Sequence, residues 1–176
     1  GDLKRIGNST PRYNFGINLN AEWKGIDFSI FFQGVMKCDW NPDAGQPYFW
    51  GVVGGEWQSC GFKEHLDYWS ETNKNAYYPK PYLNGSTQKN QQTQTRYLQS
   101  AAYMRCKNIQ LGYTLPQAIT EKAGMNRVRA YLSCDNLFTV TGLSKIFDPE
   151  ALNGGWGSGK LYPLQRTIAV GLNVTF

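Results

Sequence analysis

Few residues of this chain have the types and spacing that an active site needs. The run from Gly154 to Lys160 matches the first seven positions of a phosphate-binding loop, in which backbone N–H groups and the lysine hold phosphate oxygens. Leu161 stands where that loop needs a Ser or Thr for Mg²⁺, and Pro163 prevents a helix from starting there. The run therefore predicts a surface loop and not a nucleotide site.

The only histidine, His65, would have to serve any catalytic triad. No nucleophile elbow or comparable motif accompanies it, and a short helix predicted over 62–69 places it at the surface. Glycoside hydrolysis requires two carboxylates at a defined separation, which nothing in the sequence fixes. The candidates are Asp43, Glu56, Glu64 and Asp67. We therefore predict no enzymatic activity, no metal site and no cofactor.

Aromatic side chains are more informative, because several lie together between residues 36 and 102. Exposed aromatic faces stack against sugar rings and peptide side chains and anchor protein partners. The same residues would also serve as a small core that holds a long loop together. Both interpretations are open at this point. The candidates for ligand or partner binding are Trp40, Tyr48, Trp50 and Trp57.

The composition favours β-structure. Aromatic residues make up 15% of the 176 residues and charged residues 18%, against an ordinary charged share of about 25%. There are 19 glycines, 8 prolines and few long helix-forming runs. The net charge is +5, but the basic residues are scattered, which argues against nucleic-acid binding. No apolar run reaches the 18 residues of a transmembrane helix, and the start lacks the apolar core of a signal peptide.

Apolar and polar side chains alternate in five segments, and this two-residue period predicts strands. The segments are 13–23, 26–35, 103–115, 127–138 and 165–176. Each has roughly ten residues, which at about 3.3 Å per residue and a tilt near 40° spans a bilayer core. By the same alternation Arg105 and Lys107 fall on the apolar face, which predicts that the third strand rises above the membrane there.

The connections between these strands are short at one end and long at the other. A tight turn at 24–25 and a modest one at 117–126 contrast with long loops over 36–102 and 139–164. Outer-membrane barrels have short periplasmic turns, long extracellular loops and aromatic girdles. Aromatic residues do lie near the strand ends, at Tyr13, Trp23, Tyr113, Phe138 and Phe176.

These features predict the fold class all-β, with antiparallel up-and-down strands of a transmembrane β-barrel. The alternative is a soluble, secreted carbohydrate-binding β-sandwich, whose apolar faces pack against each other inside. The two interpretations differ in whether the apolar face is exposed or buried.

Several segments, in this order and spacing, resemble the C-terminal end of the SusC/RagA-type TonB-linked outer-membrane transporters of the Bacteroidetes. They are Thr10-Pro11-Arg12-Tyr13-Asn14, Tyr68-Trp69 with Tyr78-Pro79, Asn108-Ile109-Gln110-Leu111-Gly112-Tyr113-Thr114-Leu115-Pro116, Asn136-Leu137-Phe138-Thr139, Asp148-Pro149-Glu150 and Tyr162-Pro163-Leu164-Gln165-Arg166-Thr167. The final alternation resembles the signal that the barrel-assembly machinery reads, and its residues are Val170, Leu172, Val174 and Phe176. The resemblance covers nearly the whole chain.

The resemblance implies a barrel in outer-membrane lipid that is plugged by an N-terminal domain, capped by a SusD-like surface lipoprotein and energised through TonB. Such a transporter imports oligosaccharides, peptides or similar nutrients, with its loops extracellular and its C-terminus periplasmic. Five strands cannot close a barrel, for which about eight is the minimum, so we expect a fragment without the plug, the TonB box and most strands. The polar wall that faces the plug would include Asn18, Asn108, Gln110 and Asn173.

The cysteines lack the C-x-x-C spacing of a zinc or redox site. They are Cys38, Cys60, Cys106 and Cys134. Free thiols and one disulfide are both compatible with this pattern. Because Cys38 and Cys60 flank the aromatic cluster and the implied compartment is oxidising, a disulfide between them is our hypothesis.

Overall fold

The computed structural model describes residues 3–42, 46–51, 61–82, 90–152, 159 and 161–176. The chain divides into two compact units. The strand unit consists of Pro11–Lys37, Ala102–Thr141 and Leu164–Phe176. The loop unit consists of Gly1–Thr10, Cys38–Ala101 and Gly142–Pro163. Each unit is assembled from three stretches of chain, so neither corresponds to a continuous segment of sequence.

The described residues are mainly β-strand, with a few single-turn helices. The strands are β1 (Tyr13–Trp23), β2 (Ile26–Met36), β3 (Asp39–Trp40), β4 (Gln99–Ser100), β5 (Tyr103–Thr114), β6 (Arg127–Thr141) and β7 (Thr167–Thr175). The helices are α1 (Pro47–Trp50) and α2 (Gln117–Thr120), with 3-10 turns at Lys63–Leu66 and Glu121–Ala123. No helix among the described residues is long and apolar enough to cross a membrane.

The strand unit is a single five-stranded antiparallel sheet in the order β1-β2-β5-β6-β7. These are the five strands that the alternation predicts, although β6 runs to Thr141 instead of 138 and β7 begins at Thr167 instead of 165. The sheet is open, and β1 and β7 form its two edges. The short strands β3 and β4 pair with each other in the loop unit.

The hairpin between β1 and β2 closes through two residues, as the sequence predicts. Lys24 has φ 48° and Gly25 has φ 87°, the left-handed backbone that a two-residue hairpin turn requires at both positions. A side chain at Gly25 would bring its Cβ within 2.8 Å of the Thr114 carbonyl oxygen. Glycine is therefore needed there both for its conformation and for the space that it leaves.

The register of the sheet separates an apolar face from a polar face. One row across all five strands is entirely apolar: Leu19, Ile30, Ile109, Cys134 and Ile168. The next row carries Asn20, Ser29, Gln110, Ser133 and Ala169 on the opposite face. Side chains of the apolar face remain exposed, with Leu19 at 55% and Val170 at 83%. A β-sandwich would bury this face, so the exposure contradicts that alternative.

A β-bulge in β5 corrects the predicted orientation of its first half. The pairing with β2 skips Lys107. Cys106 therefore lies opposite Phe32 on the apolar face, and Arg105 lies opposite Gln33 on the polar face. The prediction that Arg105 faces the apolar side was wrong, because one inserted residue turns every side chain beyond it to the other face of the sheet.

The loop unit has its own aromatic core, centred on Phe49. This side chain is fully buried, and its ring contacts those of Trp50 at 4.8 Å and Tyr78 at 5.5 Å between centroids. The other buried members of the core are Tyr97, Ala101, Leu143, Phe147 and Leu152. Residues from 36–102 and 139–164, which the sequence assigns to two separate loops, are thus packed into one cluster.

The helix predicted over 62–69 is shorter than expected and is of the 3-10 type, at Lys63–Leu66. Asp67 ends it, because its side chain is bound by residues farther along the chain and its backbone leaves the helical region at φ −82° and ψ 57°. Leu66 and Trp69, which lie within the predicted range, are exposed at 71% and 39%.

Candidate functional site

The polar face of the sheet carries an ion pair that spans three strands. Arg129 on β6 donates two hydrogen bonds to the Asp27 carboxylate on β2, one of them with 2.9 Å between Nε and Oδ1. The two residues face each other across β5, where Gly112 lies between them. A Cβ at that position would come within 2.5 Å of both side chains. The missing side chain of Gly112 is therefore what lets the pair form.

Neighbouring contacts extend this arrangement along the polar face. The Arg129 guanidinium also lies 5.0 Å from the centre of the Tyr131 ring, a cation–π distance. The Tyr131 ring covers Gly171 on β7, where a Cβ would come within 2.2 Å of it. Farther along, Asn108 Nδ2 donates to Asp135 Oδ1 at 2.7 Å. Asp27, Arg129 and Asp135 on this face are thus held by partners within the sheet.

The predicted polar wall residues are on this face. The register places all four there, namely Asn18, Asn108, Gln110 and Asn173. Sequence reasoning missed the pair Asp27 and Arg129, which are 102 positions apart. Both residues fall on the polar face by alternation and lie near the two short turns, which is the only signal in the sequence. The strand register is needed to show that their side chains meet.

The loop unit contains the predicted aromatic binding residues, and the structure gives them different surroundings. Trp50 is only 3% exposed and packs edge-to-face on Phe49 and Tyr97, so it offers no ring face to a ligand. Trp40 and Tyr48 are half-buried against the same core. Trp57 lies outside the described residues. A binding role for Trp40, Tyr48 and Trp57 stays a prediction, whereas Trp50 belongs to the core.

His65 has a structural position. Its Nδ1 accepts the Phe62 backbone N–H at 3.0 Å, so Nε2 must carry the proton that bonds to the Phe49 carbonyl oxygen at 2.9 Å. The ring also packs edge-to-face on Tyr78 with 4.9 Å between centroids. Nδ1 thus caps the start of the 3-10 turn itself, and Nε2 ties that turn to α1.

The predicted disulfide cannot be compared with a structure, because Cys60 lies outside the described residues. Cys38 is a free thiol that donates to the Ser9 carbonyl oxygen at 3.2 Å. Burial raises the pKa of the Cys38 thiol, and Asp39 adds to the effect, which lowers the thiolate fraction that forms disulfides. The pairing of Cys38 with Cys60 stays a prediction.

No group of three or more metal-ligating side chains is found among the described residues. Two of the four carboxylates considered for hydrolysis, Asp43 and Glu56, lie outside that part of the chain, as does the run 154–160 apart from Gly159.

The loop unit also contains an open cleft with a volume of about 560 Å³. Its walls come from four stretches of chain and comprise Glu64, Asp67, Tyr77, Tyr78, Leu98, Gln99, Ser100, Gly142, Leu143, Ser144 and Lys145. Burial raises the pKa of Tyr78 to about 12, so this hydroxyl stays protonated at neutral pH. The cleft combines charged, amide and aromatic groups, as ligand sites do.

Asp67 organises one wall of this cleft. Its Oδ2 accepts the Tyr77 backbone N–H at 3.0 Å, and its Oδ1 accepts the Asn73 side-chain amide at 3.0 Å. These two hydrogen bonds, the backbone one first, lower the pKa of the Asp67 carboxyl below its ordinary value.

We expect the wall around Asp67 to loosen in acid. Because its folded pKa is lowered, the carboxylate contributes stability in full above the ordinary carboxyl pKa of about 3.9, and the contribution is lost as pH falls through the folded value. Proteolysis of the segment 67–78 against pH, in the full-length protein, should show an increase below about pH 4 that Asp67→Asn abolishes. Equal acid sensitivity of the wild type and Asp67→Asn would contradict this assignment.

No protein-family model matches the chain. It is similar to two proteins of Formosa agariphila, TonB-dependent receptor P3, with 30% identity over 187 residues, and TonB-dependent receptor P26, with 30% identity over 188 residues. Each match covers 99% of this chain but only 17% and 18%, respectively, of the relative's length.

Solved structures agree with these matches. The RagAB peptide importer in its closed-closed state superposes with a TM-score of 0.70 at 31% identity. A second structure of the RagAB peptide transporter superposes with a TM-score of 0.69 at 29% identity. Both cover 98% of this chain and 18% of the other. Sequence and structure thus agree along nearly its whole length, and the chain belongs to the SusC/RagA-type TonB-dependent receptors, of which it corresponds to less than a fifth.

Proposed function

We propose that this chain forms part of the wall and of the external loops of an outer-membrane transport barrel. The observation that carries the proposal is the continuous, exposed apolar face of the five-stranded sheet. Apolar surface in water costs about 25 cal/mol per Å², so a face of this size needs an apolar environment. Lipid on this side and a hydrated lumen on the polar side satisfy both faces.

The open edges of the sheet support a larger barrel. The backbone groups of β1 and β7 that point away from the sheet would be left without strand partners inside a membrane, where each unsatisfied group costs several kcal/mol. Further strands of the same receptor would pair with them and close the barrel. This chain spans less than a fifth of its relatives' length, so the remaining strands would come from the rest of the protein.

The lengths of the connections support one orientation of the sheet in the membrane. The turn at 24–25 and the connection 115–126 join strands at one end of the sheet, and the long stretches 38–101 and 142–163 follow the opposite strand ends. We infer periplasmic short turns, an extracellular loop unit and a periplasmic C-terminus. The predicted assembly signal would then be read on β7 and Phe176 from the periplasm.

The cargo and the partners are inferred from the relatives. The similar solved structures are described as peptide importers, which favours peptides, with oligosaccharides as the other class. A SusD-like surface lipoprotein would cover the external side, the TonB complex would supply energy through the rest of the receptor, and the barrel-assembly machinery would insert the barrel into lipid.

The experiment that tests this topology uses the full-length receptor in its native cells. After membrane fractionation, protease added to intact cells should cleave within 38–101 and 142–163 and leave 24–25 and 115–126 intact until the outer membrane is opened. Recovery in the soluble fraction, or cleavage of the short turns in intact cells, would contradict the proposal.

A further inference from the structure

The walls of the loop-unit cleft are fixed by hydrogen bonds between distant stretches of chain. The Gln99 side-chain amide donates to the Tyr77 hydroxyl at 3.1 Å and accepts the Ser144 backbone N–H at 2.9 Å. One amide thus joins three segments that are far apart in sequence. A cleft whose walls are already fixed loses little conformational entropy when a ligand binds.

Most polar groups of the cleft are therefore already used within the protein. The Asp67 carboxylate is occupied by the Tyr77 N–H and the Asn73 amide. The Tyr77 hydroxyl and the Gln99 amide bind each other. These groups shape the cleft, and they leave little capacity to hold a charged ligand.

Glu64 and Lys145 are the exceptions. Both line the cleft and both are exposed. Neither side chain makes an ion pair or a hydrogen bond with another residue in the described part of the chain. The cleft thus presents one carboxylate and one ammonium group that do not neutralise each other.

We propose that this cleft binds a zwitterionic ligand, of the class of short peptides with free termini. The ligand's ammonium group would bind Glu64 and its carboxylate would bind Lys145, since hydrogen bonds between ionised groups are about twice as strong as neutral ones. A volume of about 560 Å³ lies within the usual range of ligand sites, about 300–1,000 Å³. Leu98 and the Tyr77 ring supply apolar contact for the ligand's side chains.

This inference deepens the proposed transport function and rests on it for its biological role, but binding itself is measured without transport. The probe is trialanine, titrated calorimetrically into the purified full-length receptor, and compared with N-acetyl-trialanine and trialanine amide. Each blocked end should weaken binding about tenfold, the equivalent of about 1.4 kcal/mol. Glu64→Gln and Lys145→Gln should each weaken binding of free trialanine by a similar factor.

The decisive result is the coupling between each variant and each blocked end. Once the peptide is acetylated, Glu64→Gln should have no further effect, and once it is amidated, Lys145→Gln should have none. The matched controls are Glu71→Gln and Lys63→Gln, which are exposed in the same unit but do not line the cleft, and they should bind like the wild type.

Three results would each overturn the cleft assignment. The first is that the effects of a variant and of a blocked end add; the second is that the control variants weaken binding as much as Glu64→Gln and Lys145→Gln; the third is that free trialanine does not bind. Binding of uncharged maltotriose that Glu64→Gln and Lys145→Gln leave unchanged, without binding of trialanine, would assign the receptor to sugars instead. Peptide uptake by cells separates the two proposals. Peptide uptake without coupling leaves transport standing and removes the cleft site. Coupling without peptide uptake leaves the site standing and removes peptide transport.

Discussion

Phe49→Ala is expected to lower the free energy of unfolding of the loop unit by about 3 to 5 kcal/mol, the usual cost of truncating a buried Phe. The side chain is fully buried, and its ring lies against those of Trp40, Trp50, Tyr77, Tyr78, Tyr97 and Phe147. Truncation removes the centre around which the other rings are arranged. Since compact domains are stable by only about 5–15 kcal/mol, this would be a large fraction of the stability of the unit.

The measurement is proteolysis of the full-length receptor at increasing urea concentration, with cleavage inside 38–101 followed by mass spectrometry. Phe49→Leu keeps most of the apolar volume and should cost less. Tyr82→Ala is the matched control, because this aromatic residue of the same unit is 48% exposed and surface changes usually stay within about 0.5 kcal/mol. If Phe49→Ala resisted protease as well as Tyr82→Ala, Phe49 would not be the centre of the core.

Val170→Arg is expected to destabilise the inserted receptor by about 2 to 4 kcal/mol, the cost of an Arg at the lipid midplane of a barrel. Val170 lies near the middle of β7 on the apolar face, opposite Leu132, and is 83% exposed. The expected effect depends on lipid contacting this face, so it tests the proposed membrane orientation of the sheet directly.

Ala169→Arg is the control, because Ala169 lies next to Val170 on the same strand and faces the polar side. The amount of folded, heat-modifiable receptor in the outer membrane should fall for Val170→Arg and change little for Ala169→Arg. Unfolding in lipid vesicles would give the difference in free energy. Equal loss for both variants would show that lipid does not distinguish the two faces as proposed.

Local patterns were enough to predict the strands and, apart from the first half of β5, their faces. The two-residue alternation from Tyr13 to Trp23 and from Ile26 to Val35 depends only on neighbouring residues, and so does the turn at Lys24 and Gly25. The order of the strands in the sheet follows because antiparallel strands in chain order pair with their neighbours. The family resemblance could also be recognised from the sequence, because it rests on short segments in a fixed order.

Features that depend on contacts between residues distant in the sequence could not be predicted from it. The bulge at Lys107 changes the face of Arg105, and it is seen only in the pairing of β5 with β2 and β6. The side chains of Asp27 and Arg129 meet across a glycine on a third strand. No count along one strand reveals either.

The sequence by itself therefore determined the all-β class, the five strands and the family, since each rests on local periodicity or on ordered segments. Only the tertiary structure decided that Trp50 is buried in a core, that His65 ties the 3-10 turn to α1, and that Glu64 and Lys145 share one cleft. The physical reason is that three stretches of chain come together in the loop unit and set the burial and the hydrogen-bond partners of its residues. No repeating pattern in these stretches indicates which side chains will be buried.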